Sequence, residues 1–282
     1  MDVNKMMDPW PPQQLAVVIG VGGMGMAVAR RLGQQYRLLL TDIDEQRLIK
    51  AADQLDADGI RADAVVCDVT SATSVQSLAD RVETIGELRA LVHVAGLSPS
   101  MGNWRTIMSV DLVGPALVTN ALLPHARQGT SAVLIASLAA HLLEPSEAVT
   151  KILSDPLADD FLDKLEAAMN GDITPELSYA YAKNALIKMS ERHAVSWGEK
   201  HARINSLSPG LIATPMGLKE YEGRPEKVEL LKKTPLQRQG GMLEIADVVE
   251  FLISNRSSFM TGTNLLVDGG VAAALKHPNS SS

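Results

Sequence analysis

Short apolar runs alternate with amphipathic stretches along nearly the whole chain. Leu15-Ala-Val-Val-Ile19 is apolar throughout, and a Gly-rich stretch separates it from a helical pattern reaching Leu32. Further short apolar runs occupy Tyr36–Thr41, Ala62–Cys67, Leu88–Val94, Ser131–Ser137, Arg203–Leu207 and Thr263–Val267. Between them the pattern predicts a helix capped by Asp44, then helices over Ser71–Ile85, Trp104–Arg127, 178–200 and Leu243–Ser254. Apolar strands alternating with helices build right-handed parallel βαβ units, whose sheet is buried on both faces. The predicted fold class is α/β: one doubly wound (Rossmann) domain over 14–275, with about seven parallel strands and helices on both faces. A disordered lead (1–13) and tail (276–282) are expected to flank it.

Composition refines this picture in a few places. Aromatics are only 4% of the residues, so the core must be built from Ala, Val, Leu, Ile and Met. A formal charge of −7 argues against nucleic acid or an anionic membrane as partner. Cys67 has no second cysteine to pair with, which fits a reducing compartment. Met1 to Gln14 is polar and Pro-rich, without the apolar core of a secretion signal. No uninterrupted apolar run approaches the ~20 residues of a membrane span. A cytoplasmic location is expected.

Two motifs carry candidate chemistry. Gly20-Val-Gly22-Gly23-Met24-Gly25 follows the first strand and opens the first helix. In that context Gly-x-Gly-x-x-Gly turns the chain tightly, admits a pyrophosphate to the backbone, and presents the helix N-terminus to it. The next strand ends at Asp42, where a carboxylate can accept both ribose hydroxyls and repel a 2′-phosphate. Ile43 follows it and the Gly turn holds no Lys or Arg, so NAD(H) is expected over NADP(H). Second, Tyr179 and Lys183 stand one helical turn apart on one face. An ammonium beside a phenol favours the phenolate, making a plausible acid/base device for an alcohol proton. Tyr181 has no Lys four residues on. No metal site is expected.

These segments, in order, resemble the short-chain dehydrogenase/reductase family from about Leu15 to Gly270. Asp68-Val69 resembles the segment that contacts adenine, and Val94-Ala95-Gly96 resembles Asn-Asn-Ala-Gly after the fourth strand. Ser137 lies where the family has its substrate-orienting Ser. Pro209-Gly210-Leu-Ile212-Ala-Thr214 resembles the turn that clamps the nicotinamide carboxamide, and Asp268-Gly-Gly270 the closing sequence. The resemblance implies reversible hydride transfer between NAD and a secondary alcohol or ketone. Ser137 would hydrogen-bond the substrate oxygen, Tyr179 would exchange its proton, and Lys183 would lower the Tyr179 pKa and bind the ribose. The cofactor contacts implied are Gly20, Gly22, Gly23, Met24, Gly25, Asp42, Ile43, Asp68, Val69, Ala95, Gly96, Tyr179, Lys183, Pro209, Gly210, Ile212 and Thr214.

Three positions depart from the family pattern. The Gly turn is one residue shorter and follows Ile19 rather than Thr. His93-Val94 replaces the Asn pair, and His93 is a candidate to tie neighbouring strands together. Asp111 replaces the Asn that completes the proton relay; it is nearly isosteric but cannot donate when ionised. Asp111 is expected to be tolerated.

The stretch from Ser137 to Tyr179 is unusually long, with helical patterns over Glu147–Leu153 and Leu157–Met169. This 141–176 insertion resembles bacterial 3α-hydroxysteroid dehydrogenase/carbonyl reductases. So do Tyr181-Ala-Lys183-Asn184-Ala185-Leu186 and Val195-Ser-Trp197-Gly198-Glu199. The resemblance suggests a lipophilic, steroid-like ketone or alcohol. Candidate substrate residues are Ser98, Leu138, His141 and Leu142, with Met216, Leu218 and Tyr221 on an apolar lid over 215–235. The insertion could instead be a structural cap, or cover the long helices through which many members dimerise. A homodimer or homotetramer is expected. Two other readings stay open: a cofactor-binding scaffold or redox sensor with lost catalysis, kept alive by Asp111 and His93, and a nucleotide-sugar epimerase. The epimerase reading lacks a separate C-terminal substrate domain.

Overall fold

The computed structural model describes residues 14–214 and 225–277. The strands are β1 (Leu15–Ile19), β2 (Arg37–Asp42), β3 (Ala62–Val66), β4 (Leu88–His93), β5 (Ser131–Ile135), β6 (Arg203–Pro209) and β7 (Asn264–Val267). They form one sheet in the order β3-β2-β1-β4-β5-β6-β7, and every pair is parallel. Such strands need cover on both faces, and the apolar residues of β1, β4 and β5 are accordingly buried on both.

Helices α1 (Gly23–Leu32), α2 (Glu45–Ala57) and α10 (Met242–Ile253) enclose one apolar layer. On the other face lie α3 (Ala72–Ile85), α5 (Gly114–Leu122) and α8 (Pro175–Gly198). The helix starts are locally encoded. Asp44, Ser71, Asn103, Ser146 and Thr174 each accept a backbone N–H from the first turn of the following helix. The chain winds in opposite directions from β1, toward β2 on one side and β4 on the other. Ligands of doubly wound sheets bind beyond the strand ends at that point.

The long helix expected over Trp104–Arg127 is divided. α4 (Trp104–Met108) passes into a π turn (Ser109–Val113), then α5, then a 3-10 turn (Leu123–His125). Pro115 explains part of the break: it has no N–H to return to the carbonyl four residues earlier, that of Asp111. By length and composition Trp104–His125 could cross a membrane, contrary to the expectation from uninterrupted apolar runs. Here its apolar side chains have partners on both sides. Ala116, Val118 and Leu122 face the sheet layer, while Met108 and Leu112 meet the insertion.

The insertion supplies α6 (Glu147–Leu153) and α7 (Phe161–Ala168). Val149, Leu153, Phe161 and Leu165 pack on Met108, Leu112, Ala182 and Ala185, covering the outer faces of the π turn, α4 and α8. Of the expected lid, 215–224 lies outside the described residues, with Met216, Leu218 and Tyr221; α9 (Pro225–Lys233) follows. After β7 a further helix, α11 (Val271–Lys276), packs on Leu138. Phe161 is 3% exposed at the centre of the insertion's apolar cluster. Phe161→Ala should therefore lower unfolding free energy by about 3–5 kcal/mol in chemical denaturation. A loss under about 1 kcal/mol would mean that the insertion is not part of the cooperative core.

Candidate active site

The glycine turn is built by close approach of backbones. Gly20 sits at φ 89° and donates its N–H to Thr41 O at 2.7 Å, and an added Cβ would come within 2.8 Å of Ala95 Cα. A methyl on Gly25 would overlap the Gly20 carbonyl. Gly22 caps α1 with no side-chain acceptor for its first N–H groups, and a Cβ there would meet nothing. Open space, free donors and a positive helix end together fit a dinucleotide pyrophosphate. Met24 is half-buried on the first turn of α1.

Asp42 ends β2 beside this turn, 7% exposed. Its carboxylate accepts Val21 N–H at 3.0 Å and Asp44 N–H at 3.1 Å. Arg47 adds an ion pair at 3.2 Å, its own side chain half exposed. Arg47 was missed in the sequence, where only the Gly turn and Ile43 were considered. It reaches back from the first turn of α2, a position that Asp44 fixes by capping that helix. Ile43 is 66% exposed and points away from the core. Asp68 folds onto itself, its Oδ1 accepting Thr70 N–H at 2.9 Å and Thr70 O–H at 2.7 Å. Val69 is buried against Gly114. On the far side of the switch point, Gly210 donates to Val267 O at 2.9 Å, and Thr214 N–H to Ile212 O at 2.8 Å. A Cβ on Gly210 would strike Asp268, so the Pro209–Gly210 turn is held against the start of the closing loop.

Tyr179 and Lys183 share one face of α8, with Lys183 Nζ 5.7 Å from the Tyr179 ring centroid. Ser137 follows β5 on the same side, near enough for its hydroxyl to lower the pKa of the Tyr179 phenol. Ser137 Oγ also accepts Ala139 N–H at 3.2 Å, which starts the short turn Leu138–His141. Lys183 is 4% exposed and donates to Ile135 O at 3.1 Å. Its second partner is Asp111, fully buried in the π turn, with Oδ2 3.2 Å from Nζ. Asp111 Oδ1 accepts Leu97 N–H at 2.7 Å. Gly96 leaves room for this arrangement: a Cβ would stand 3.1 Å from Nζ and 3.4 Å from either carboxylate oxygen.

Burial sets the electrostatics. It pushes the Tyr179 phenol above its ordinary value; Lys183 pulls it down, Asp111 pushes it up again, and the Ser137 hydrogen bond lowers it. Burial likewise raises the Asp111 carboxyl, with Lys183 and the Leu97 N–H opposing. His93 is held neutral, its pKa lowered to about 3 by burial and then by Lys183. Its Nε2 has no hydrogen-bond partner. Beside it the main chain joins β4 to β1, Val94 and Ala95 both donating to Ile19 O at 2.8 Å. Tyr181 packs into the insertion cluster, away from Ser137.

The expected substrate residues divide. Ser98 is buried and pairs with Ser100 at 3.0 Å. Leu138 lies under Val271 and Ala272. His141 Nε2 shares a hydrogen bond with Ser208 on β6 at 3.1 Å, which ties its turn to the sheet. Leu142 is 44% exposed. Among the described residues, no group of three His, Cys, Asp or Glu could hold a metal ion.

The short chain dehydrogenase family model matches residues 14–149, and the enoyl-(acyl carrier protein) reductase model matches 167–272. The short-chain dehydrogenase/reductase bsc3 of Alternaria brassicicola is 33% identical over 273 residues, covering 95% of this chain and 99% of that protein. The chain belongs to the short-chain dehydrogenase/reductase family. Dehydrogenase/reductase SDR family member 4 of Oryctolagus cuniculus is 27% identical, covering 95% of this chain and 96% of the relative. A short-chain type dehydrogenase/reductase structure from Mycobacterium ulcerans superposes with a TM-score of 0.75 at 24% identity, covering 94% of each chain. Short-chain dehydrogenase/reductases are oxidoreductases with a nicotinamide cofactor and a small-molecule substrate. Gly25→Ala should weaken NADH binding at least about tenfold by fluorescence titration, because the added methyl drives α1 off Gly20. Unchanged binding would show that the turn does not hold the cofactor.

Proposed function

We propose that this chain is an NAD(H)-dependent oxidoreductase that interconverts a secondary alcohol and a ketone. The observation that carries the reading is the convergence of Tyr179, Lys183 and Ser137 beyond the end of β5. When bound, the nicotinamide cofactor supplies or accepts the hydride. In reduction, Ser137 orients the carbonyl oxygen and the Tyr179 hydroxyl delivers a proton to it; in oxidation the proton returns. Lys183, pinned by Ile135 O and Asp111, holds positive charge near the phenol and is free to meet the ribose with its remaining donor. Ala95, Gly96, Pro209, Gly210, Ile212 and Thr214 would complete the nicotinamide side. Gly20, Gly22, Gly23, Met24, Gly25, Ile43, Asp68 and Val69 would complete the adenosine side.

Asp42 supports NAD(H) over NADP(H), although Arg47 puts a cation at the same carboxylate. A related fold, an actinorhodin polyketide ketoreductase, was solved with NADPH, at 22% identity. Apolar side chains beyond Ser137, namely Leu138, Leu230, Val271 and Leu275, support a lipophilic and steroid-like substrate. Ser98, His141 and Leu142, with the lid residues Met216, Leu218 and Tyr221, belong to the same proposal. The insertion covers the outer faces of α4 and α8, so a homodimer or homotetramer would use other surfaces. The lone, buried Cys67 supports a cytoplasmic setting.

The competing reading, a cofactor-binding scaffold without catalysis, makes a different forecast. Ketones and secondary alcohols screened with NAD(H) should turn over, and Tyr179→Phe should slow them at least about a hundredfold, ~2.7 kcal/mol in the barrier. NADH binding without turnover of any compound would favour the scaffold. The Michaelis constant for NADH should lie below that for NADPH, and Arg47→Ala should widen the gap. A wild-type preference for NADPH would overturn the assignment of Asp42.

A further inference from the structure

Asp111 is fully buried and ionisable, and it stands against the ammonium that serves Tyr179. An amide at this position would leave the Lys183 charge uncompensated. The carboxylate Oδ2 at 3.2 Å from Nζ cancels much of that charge in surroundings where neither side chain is more than 5% exposed. Burial raises the Asp111 carboxyl; against it, two donors, the Lys183 ammonium and Leu97 N–H, point at the carboxylate and favour its ionised form. Beyond the ion pair, Oδ2 meets no hydrogen-bond partner.

The other groups around the phenol do not restore the missing charge. His93, on β4 below, is neutral. His141, on the turn after β5, is bound to Ser208 and lowered by burial. Ser137 is uncharged, and Tyr181 packs into the insertion cluster. Lys183 and Asp111 are the charged groups that act on Tyr179.

We propose that Asp111 restrains the acid/base pair: by pairing with Lys183 it offsets the ammonium that would otherwise favour the Tyr179 phenolate, so alcohol oxidation begins only at higher pH. The inference rests on the oxidoreductase reading above. In reduction the hydride goes to the carbonyl carbon, the Tyr179 proton goes to the oxygen, and the phenolate left behind takes a proton from solvent. A Tyr179 that is already protonated is ready for that step. Oxidation needs the phenolate first, so its rate should climb only as pH rises through the Tyr179 ionisation. Asp111 touches neither substrate nor cofactor in this scheme; it acts through Lys183 as a positioning residue.

The decisive measurement needs no turnover. Tyrosinate absorbance of the cofactor-free, full-length protein is titrated for the wild type and Asp111→Asn, each with and without Tyr179→Phe, so that the difference isolates Tyr179. The Tyr179 midpoint should fall by at least about one pH unit in Asp111→Asn. In the oxidation direction the acid limb of kcat/KM should move down with it, raising oxidation near pH 7 about tenfold. Reduction at the same pH should rise in the same proportion, because the substitution leaves the overall equilibrium unchanged. A merely structural role for Asp111 would lower both directions together and leave the midpoint in place. An unmoved or raised midpoint overturns the proposal. If Asp111→Asn does not fold, Asp111→Ser removes the same charge and is read in the same way. Absence of turnover with every carbonyl tried would sink the oxidoreductase reading, while the titration still decides whether Asp111 governs Tyr179.

Discussion

Parallel pairing is the constraint from which the rest of this molecule follows. Seven strands running one way place all of their C-terminal ends on one edge. Each strand must then be reached by a crossover that packs on one face or the other. The crossovers change sides at β1, and the chain opens there between β1 and β4. Gly20, Asp42, Ala95, Ser137 and Pro209 are far apart in sequence but all lie at or just beyond strand ends. They meet because the sheet has polarity, and side chains need only be correct locally for the site to assemble.

Within that edge, the buried pair of Lys183 and Asp111 links three elements. Lys183 comes from α8, its carbonyl partner Ile135 from β5, and Asp111 from the π turn between α4 and α5. Breaking such a pair on one side leaves a charge unpaired in the interior, which typically costs about 3–5 kcal/mol. The π turn is a local irregularity with a consequence: Pro115 denies the Asp111 carbonyl its usual helical donor. Wide turns of this type are recurrent at functional sites. The same region carries a second buried polar oddity, the neutral His93 with an unpartnered Nε2. Both lie where the sequence differs from the family pattern it resembles, and both neighbour Lys183.

Much of the fold was legible because its signals are local. Apolar runs bounded by turn residues located the strands to within a residue or two, and Asp44 and Ser71 announced helix starts through their capping chemistry. The glycine turn was legible too, since its context required strand, turn and helix in order. Boundaries failed where tertiary contacts override periodicity. The helical pattern from Leu157 begins in the structure only at Phe161, and the rod from Trp104 is broken by a proline whose effect falls four residues upstream. Arg47 was overlooked because its guanidinium meets Asp42 only after α2 has been capped and turned. That the His141 ring bonds Ser208 on the neighbouring strand could not be read from its position after Ser137.

By itself the sequence determined the family, because its motifs, from the Gly turn after β1 to Tyr179 and Lys183 one turn apart, are local spacings that recur in a fixed order. It also determined the alternation of strands and helices, because apolar periodicity is a property of consecutive residues. Only the tertiary structure decided that the insertion lies on α4 and α8, that Asp111 faces Lys183 rather than water, and that Arg47 leans on Asp42. Those outcomes depend on contacts between residues 5 to 72 positions apart, from Asp42 with Arg47 to Asp111 with Lys183. Whether two such charges pair depends on the burial and separation that packing creates, and neither can be read from one residue's neighbours along the chain.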